Sequence, residues 1–384
     1  MLNPNMSLIE KENTFTLVNK KIAAYKKKHP NNKVIALSIG DVSKPVCKPV
    51  LDAMHKAVDD LGKMETFQGY GLYYGLPSLR KLIIENDYKK YHFTIDEVYI
   101  GDGTKTDVTG ILELFDIKSK VLVSDPMYPI YKNGCHAMSR NVECMKLDEN
   151  CKPVIPSKHF DLIYICSPSN PTGSTLNKKD LTAWVKYAIK NKAVILYDNV
   201  YESFVHTKGN VKSVYDIPGA KKCVIEFRSF SKKASFTGLR CSYFVIPNQI
   251  AKGINDIYKE RTLNRFNGAS YVAQKGAEAT FTKEAKKIIK DNMNYYLANA
   301  KYMKKEFEKL GFKVIGGIDA PYLWIYTEED SWKFFDKCLN KMEVVIMPGA
   351  VFGKNSSHYF RVSALASSEV CHEAIRRFKE YYEK

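Results

Sequence analysis

AVILYDNVYE (193–202) is a run of β-branched and aromatic residues that ends on acidic and polar ones, as a buried parallel strand followed by a loop does. Similar runs lie on either side of it, separated by stretches with helical spacing: EVYI (97–100), KVLVSD (120–125), DLIYICS (161–167), CVIEFRS (223–229) and SYFVIP (242–247). Alternation of strands with helices predicts βαβ units and a mostly parallel sheet covered by helices on both faces. The fold class is therefore α/β.

The pattern changes after about residue 275. A long helical stretch, EAKKIIKDNMNYYLANAKYMKKEFEKLG (284–311), leads into the short runs KVIGG, YLWIYT, VVIMPG and HYFRVSAL and a closing amphipathic helix. We therefore predict an N-terminal arm with the start of a small domain in 1–45, a large domain in 46–275, and a smaller α+β domain in 276–384.

The composition argues against several classes of protein. The formal net charge is +17, but the lysines are spread along helices and alternate with acidic residues, whereas nucleic-acid readers concentrate their charge and rely on Arg. The nine cysteines form no CxxC pairs, and no metal-binding spacing occurs. No apolar run reaches the length of about 20 residues that a membrane span needs. We expect a cytoplasmic protein without nucleic acid, membrane or metal partners.

The strongest local signal is SFSKKASFTGLR (229–240), in which Lys232 directly follows a predicted strand. An amine reacts with a carbonyl group at neutral pH only if burial or nearby cations lower its pKa. The hydroxyl of Ser229, three residues before Lys232, and the guanidinium of Arg240, eight residues after it, are suited to a phosphate group. A lysine after a strand is also typical of a surface position. The stretch is therefore open to two interpretations, a reactive lysine beside a phosphate site and an ordinary surface lysine.

Asp198 ends the apolar run, where a carboxylate is costly to bury without a cationic partner. A protonated pyridine nitrogen is one such partner, and Tyr201, three residues on, is placed to donate to a ring oxygen. An aspartate at the start of a helix is the structural alternative.

Other polar residues follow the remaining strands, where ligands bind in open α/β sheets. Asn170 lies on the turn SPSNPTG, which is also typical of a plain tight loop. Thr104 and Lys105 follow GDG ahead of a helix, where free backbone N–H groups favour a phosphate. Tyr128 in DPMYPIY is placed to stack on an aromatic cofactor or to serve packing.

In order along the chain, the motifs NPTG (170–173), D-x-x-Y (198–201), S-x-S-K (229–232) and G-x-R (238–240) resemble those of the fold-type I, class I/II aminotransferases. The resemblance runs nearly end to end and, within that family, is strongest to the LL-diaminopimelate aminotransferases. It implies a large domain with a mostly parallel sheet, a smaller α+β domain, and pyridoxal 5′-phosphate (PLP) as cofactor. It also implies a homodimer with shared active sites.

The resemblance assigns roles to matching positions. Lys232 holds PLP as a Schiff base and moves the proton, Asp198 pairs with the pyridine nitrogen, and Tyr128 stacks on the ring; these three are the implied catalytic residues. The other implied cofactor contacts are Tyr201 and Asn170 at the ring oxygen, and Thr104, Lys105, Ser229, Ser231, Arg240 and the partner subunit's Tyr70 at the phosphate. The implied substrate contacts are Arg361, Gly40 and Asn170 at the α-carboxylate, and Lys105, Tyr73 and Asn267 farther out. Arg361 alone is also consistent with a surface ion pair.

Two departures from the LL-diaminopimelate group concern the substrate. Tyr73 stands where that group has a glutamate that recognises the distal ammonium, and Asn13 stands near the place of an aromatic tyrosine. A phenol does not compensate the charge of a buried ammonium. We expect amino transfer from LL-diaminopimelate or a related substrate to a 2-oxo acid, 2-oxoglutarate in the first place. The alternatives are a neutral or aromatic amino donor, a PLP-dependent lyase, and a non-catalytic PLP-binding regulator.

Overall fold

The computed structural model describes residues 4–9 and 14–383, so Asn13 lies outside the described residues. Each of the six apolar runs between residues 95 and 250 forms a strand. The strands in chain order are β1 Ile35–Ala36, β2 Val98–Gly101, β3 Val121–Ser124, β4 Val142–Met145, β5 Leu162–Cys166, β6 Val194–Asp198, β7 Val224–Ser229, β8 Ser242–Val245, β9 Val314–Gly316, β10 Tyr322–Tyr326, β11 Val344–Val345, β12 Met347–Pro348 and β13 Tyr359–Ser363.

Helices separate most of these strands. They are α1 Thr14–Lys28, α2 Lys48–Leu61, α3 Pro77–Ile83, α4 Thr104–Gly110, α5 Ile130–Ala137, α6 Lys178–Asn191, α7 Phe230–Lys233, α8 Ile254–Leu263, α9 Tyr271–Ala279, α10 Lys283–Lys309, α11 Ser331–Lys337 and α12 Ser368–Tyr382. Polar caps fix the starts of the long helices: the Thr282 hydroxyl accepts from the backbone N–H of Ala285 in α10, and the Ser367 side chain caps α12 in the same way.

A seven-stranded sheet with the order β2-β8-β7-β6-β5-β3-β4 is the centre of the molecule. The strands from β4 to β7 are parallel, and only β8 runs antiparallel to its neighbours β7 and β2. The prediction of a mostly parallel α/β sheet is confirmed. Strand β4 was not predicted, because its middle residues Glu143 and Cys144 are exposed at the sheet edge and break the apolar pattern.

Both faces of this sheet are buried, which explains why its strands are almost continuously apolar. Ile163 and Ile195 pack with Trp184 of α6 in one core. Their neighbours Leu162 and Leu196 point to the opposite face and pack in a second core. Side chains along a strand alternate between faces, so each run supplies two cores at once.

A four-stranded antiparallel sheet, in the order β12-β13-β10-β9, forms in the C-terminal part. The N-terminal strand β1 pairs in parallel with β11, and Val18 and Leu37 share a core with Phe360 and Phe378. The N-terminal segment therefore packs with the C-terminal region. The boundaries at residues 45 and 275 stay a prediction.

Within the described part of the chain, no helix has the length and apolar character needed to cross a bilayer. The same residues contain no group of three or more His, Cys, Asp or Glu side chains arranged to hold a metal ion. All nine cysteines have free thiols.

Candidate active site

A cavity of about 540 Å³ opens at the carboxyl ends of β5, β6 and β7, and β10 and β13 close it from the C-terminal region. This is where a parallel sheet places a ligand. Twelve of the residues singled out in the sequence line the cavity: Gly40, Thr104, Lys105, Tyr128, Asn170, Asp198, Tyr201, Ser229, Ser231, Lys232, Arg240 and Arg361. They come from distant parts of the chain and meet only in the fold.

Lys232 lies in the short helix α7, which starts where β7 ends. The Ser229 hydroxyl caps this helix by accepting from the backbone N–H of Ser231 at 3.0 Å. The Lys232 ammonium donates to the carbonyl oxygen of Gly40. Burial lowers the pKa of Lys232 to about 8, and the cations of Arg361 and Arg240 act in the same direction. The amine therefore becomes neutral, and nucleophilic, closer to physiological pH than an ordinary lysine.

Asp198 is buried at the end of β6. Its Oδ2 accepts a hydrogen bond of 2.6 Å from the hydroxyl of Tyr131, whereas Oδ1 has no hydrogen-bond partner among the residues that the structure describes. Burial raises the pKa of Asp198 to about 6, against the effect of the Tyr131 hydrogen bond and the Val200 backbone, and neither of these groups is a cation. The side chain bonds to Tyr131 rather than capping a helix. A buried carboxylate with one free oxygen is suited to a cationic ligand.

Arg361 lies in the middle of β13, opposite Trp324, and only 2% of it is exposed. Its guanidinium donates to Asn170 Oδ1 and to the carbonyl oxygen of Ser38, both at 2.7 Å, while Nε has no partner within residues 4–9 and 14–383. Burial lowers the pKa of Arg361. The neighbouring groups that raise this pKa are tyrosine phenols and not carboxylates. With the described part of the chain Arg361 forms no ion pair, and a buried guanidinium that has no carboxylate partner there is suited to an anion.

Hydroxyl groups and one guanidinium gather near the start of α4. Gly103 has φ +129°, and a Cβ there would overlap the guanidinium of Arg240, so glycine is needed at this point. The Ser242 hydroxyl accepts from Gly103 N–H at 2.9 Å and donates to Asp107 at 2.5 Å, which fixes the loop before Thr104. Arg240 also donates to the carbonyl oxygen of Thr237 at 3.0 Å.

Two tyrosines in the cavity were not singled out in the sequence. The hydroxyl of Tyr322 lies 2.9 Å from that of Tyr201, and its ring lies 4.5 Å below the guanidinium carbon of Arg361. Tyr131 forms an edge-on contact with Tyr128, with ring centroids 5.9 Å apart. Tyr131 lies three residues after Tyr128, a spacing that places both on one side of a helical turn. The sequence around Tyr322 contains no comparable indication that it reaches the cavity.

Three predicted residues do not line the cavity. Tyr70, Tyr73 and Asn267 lie on two loops outside it, and Tyr70 is 89% exposed. The two loops touch, because the Cβ position of Gly268 lies 3.1 Å from the carbonyl oxygen of Leu72. A single chain therefore does not bring these three residues to Lys232.

The cavity residues fit PLP. The reactive amine of Lys232 matches an aldehyde, the free oxygen of Asp198 matches a protonated ring nitrogen, and the hydroxyl groups with Arg240 match a phosphate. The guanidinium of Arg361, whose Nε has no hydrogen-bond partner among the described residues, is left for a second, anionic ligand.

Comparison with known proteins gives a consistent result. The profile of the family "Aminotransferase class I and II" matches residues 32–378. LL-diaminopimelate aminotransferase of Bacteroides fragilis is 40% identical over 391 aligned positions, which cover 95% of each chain, and that of Lawsonia intracellularis is equally similar. The solved structure of L,L-diaminopimelate aminotransferase from Chlamydomonas reinhardtii matches with a TM-score of 0.94 and 33% identity, covering 100% of this chain and 98% of that one.

Proposed function

Because the chain belongs to the class I and II aminotransferases, it is a PLP-dependent aminotransferase, and we propose that it moves the amino group of LL-diaminopimelate or a related amino acid to 2-oxoglutarate. The observation that carries this proposal is one cavity with three charged groups that lack full pairing. These are the amine of Lys232, one oxygen of Asp198 and the Nε of Arg361. Together they complement an aldehyde cofactor with a basic ring and an amino-acid carboxylate.

The chain's own residues then have separable tasks. PLP, when bound, supplies the carbonyl carbon that takes up the amino group and the ring that delocalises the electrons of the Cα–H bond. Asp198 keeps the ring nitrogen protonated, and Tyr201 with Asn170 holds the ring oxygen. Ser231 and Arg240 hold the phosphate.

Arg361 orients the substrate through its α-carboxylate, and Asn170 fixes the guanidinium from behind at 2.7 Å. This would place the substrate Cα toward Lys232, whose Nζ would take up the proton from Cα and release it again. A pKa of about 8 suits both directions, because a group with a pKa near the working pH both accepts and releases protons readily.

A second candidate is a neutral or aromatic amino donor, and Tyr73 favours it. LL-diaminopimelate carries a distal ammonium, and the residue at the expected glutamate position is a phenol that offers it no charge. Lys105, which lines the cavity, favours a dicarboxylate acceptor in either case.

We also propose that the active enzyme is a homodimer in the cytoplasm. Large apolar side chains of the 64–72 segment are exposed in the single chain: Met64 (92%), Phe67 (61%), Tyr70 (89%) and Leu72 (53%). A partner covering this segment would bury it, and would allow Tyr70, Tyr73 and Asn267 to act at the neighbouring site. Nine free thiols suit a reducing compartment.

The test is a spectral titration of the PLP-loaded enzyme with LL-diaminopimelate, glutamate, aspartate, phenylalanine and tyrosine in parallel. Conversion to the pyridoxamine form by LL-diaminopimelate and by glutamate supports the proposal. Conversion by phenylalanine or tyrosine but not LL-diaminopimelate supports the second candidate. Release of ammonia without an added 2-oxo acid indicates a lyase. Lys232→Ala serves as the control, because it removes the amine that holds the cofactor.

A further inference from the structure

Tyr131 is a buried phenol that the proposed mechanism does not yet use. It is 2% exposed, and its hydroxyl donates to Asp198 Oδ2 over 2.6 Å. Burial holds the pKa of Tyr131 well above its usual value, so the phenol keeps its proton and remains a donor. This is the one direct hydrogen bond that a side chain makes to Asp198 within the described residues.

The position of Tyr131 is itself fixed by aromatic neighbours. Its ring stacks on that of Tyr164, with centroids 4.8 Å apart and planes tilted by 16°, and Tyr164 in turn donates to the carbonyl oxygen of Val108 at 2.6 Å. The Tyr131 ring also meets that of Tyr128 edge-on. The phenol therefore cannot turn away from Asp198 without disturbing a packed stack.

A carboxylate that accepts a strong hydrogen bond at one oxygen is held in one rotation. At Asp198 the bond occupies Oδ2, and Oδ1 has no hydrogen-bond partner in the described part of the chain. The bond also favours the ionised form of a carboxylate whose pKa burial raises. Both effects act on the group that faces the ring nitrogen of PLP.

We propose that Tyr131 is a positioning residue that holds Asp198 ionised, with Oδ1 turned to the pyridine nitrogen of the cofactor. This inference rests on the proposed function, since it takes Asp198 as the partner of that nitrogen. It makes the affinity for PLP depend on Tyr131 through the ring nitrogen alone.

The experiment compares two ligands, PLP and its deaza analogue, in which a C–H group replaces the ring nitrogen. Their dissociation constants are measured for the apoenzyme of wild type and of each variant. Wild type should prefer PLP over the analogue. Tyr131→Phe should weaken PLP binding about tenfold, because the lost hydrogen bond involves a charged group, and should leave binding of the analogue nearly unchanged. Tyr164→Phe is the matched control: it removes a neighbouring buried phenol that bonds only to a backbone oxygen, and should keep the preference.

A Tyr131→Phe enzyme that prefers PLP over the analogue as strongly as wild type would overturn the inference, and so would an equal loss of affinity for both ligands, which indicates a packing role. If Tyr131→Phe does not fold, 4-fluorophenylalanine at position 131 fills the volume of the hydroxyl without donating and gives the same comparison. Failure of the proposed function looks different, because wild type itself would then bind no PLP.

Discussion

Replacing the lysine that holds the cofactor should stabilise the protein that lacks it. We predict that Lys232→Met raises the free energy of unfolding of the apoenzyme by about 2 kcal/mol at pH 7. Burial in the cavity lowers the pKa of Lys232 from 10.5 to about 8, and this shift corresponds to about 3 kcal/mol of destabilisation when the amine is charged. Losing the hydrogen bond to the Gly40 carbonyl oxygen costs about 1 kcal/mol in the opposite direction.

The sign follows from proton binding. Between pH 8 and 10.5 the unfolded chain keeps the proton of Lys232 while the folded chain releases it, so the stability of wild type rises with pH in this window. Below pH 8 both states bind the proton and the destabilisation is complete. Lys232→Met has no such group, so its advantage over wild type should be constant below pH 8, fall to zero at about pH 9.5, where wild type has regained about 2 kcal/mol, and become a disadvantage of about 1 kcal/mol by pH 10.5.

The measurement is urea unfolding of the two apoenzymes at equal protein concentration, because an oligomer's stability depends on concentration. Lys233→Met is the matched control on the neighbouring residue. Its ammonium lies 3.3 Å from Glu202 and 3.7 Å from Asp87, which raise its pKa. Removing it takes the buried ammonium away from Glu202 and leaves Asp87 with Arg228 at 4.0 Å, which should destabilise the protein by about 3 kcal/mol.

Two adjacent lysines should therefore give changes of opposite sign. A Lys232→Met apoenzyme that is less stable than wild type at pH 7 would refute the reasoning, as would a stability difference that stays constant from pH 7 to 10.5. The first result would mean that the cavity solvates the ammonium, and the second that the amine does not titrate in this window.

Three further changes test other parts of the cavity. Arg361→Lys should lower kcat/KM for the amino donor about 100-fold, because the planar pair of guanidinium donors is lost, and should change the PLP dissociation constant less than about twofold. A similar loss of kcat/KM and of affinity for PLP would contradict a substrate role. Tyr322→Phe removes the partner of the Tyr201 hydroxyl and should raise the midpoint of a pH titration of the visible PLP band by about 0.5, and an unmoved midpoint would separate Tyr322 from the ring oxygen. Tyr73→Glu should raise the ratio of kcat/KM for LL-diaminopimelate to kcat/KM for glutamate about tenfold. An unchanged ratio would show that the loop of Tyr73 does not face the distal ammonium.

The central sheet and most cavity residues could be predicted because parallel strands carry strong local signals. The strands from β5 to β7 are mostly apolar runs with a polar residue at or directly after their ends (Ser167, Asp198 and Ser229), and carboxyl ends of parallel strands meet at one edge. Asp198 and Lys232 therefore meet for a reason already present in the sequence. Strand β4 could not be predicted, because an edge strand with exposed residues lacks the apolar pattern.

Contacts between remote residues could not be predicted in the same way. Nothing in the sequence indicates that Tyr322, 121 residues after Tyr201, reaches its hydroxyl, or that Ser38 offers its carbonyl oxygen to Arg361. Tyr131 could not be predicted either. Its role depends on which oxygen of Asp198 it occupies, and that is a property of the folded cavity.

The unpaired groups of the cavity have one physical consequence in common. An amine with a lowered pKa, a carboxylate with a raised pKa and a guanidinium without a carboxylate partner each destabilise the folded apoenzyme. PLP and an amino-acid carboxylate carry the matching groups, so binding removes each penalty in turn. Part of the binding energy is thus the relief of destabilisation that folding created, and a variant that pairs one of these charges inside the protein should gain stability and lose affinity together.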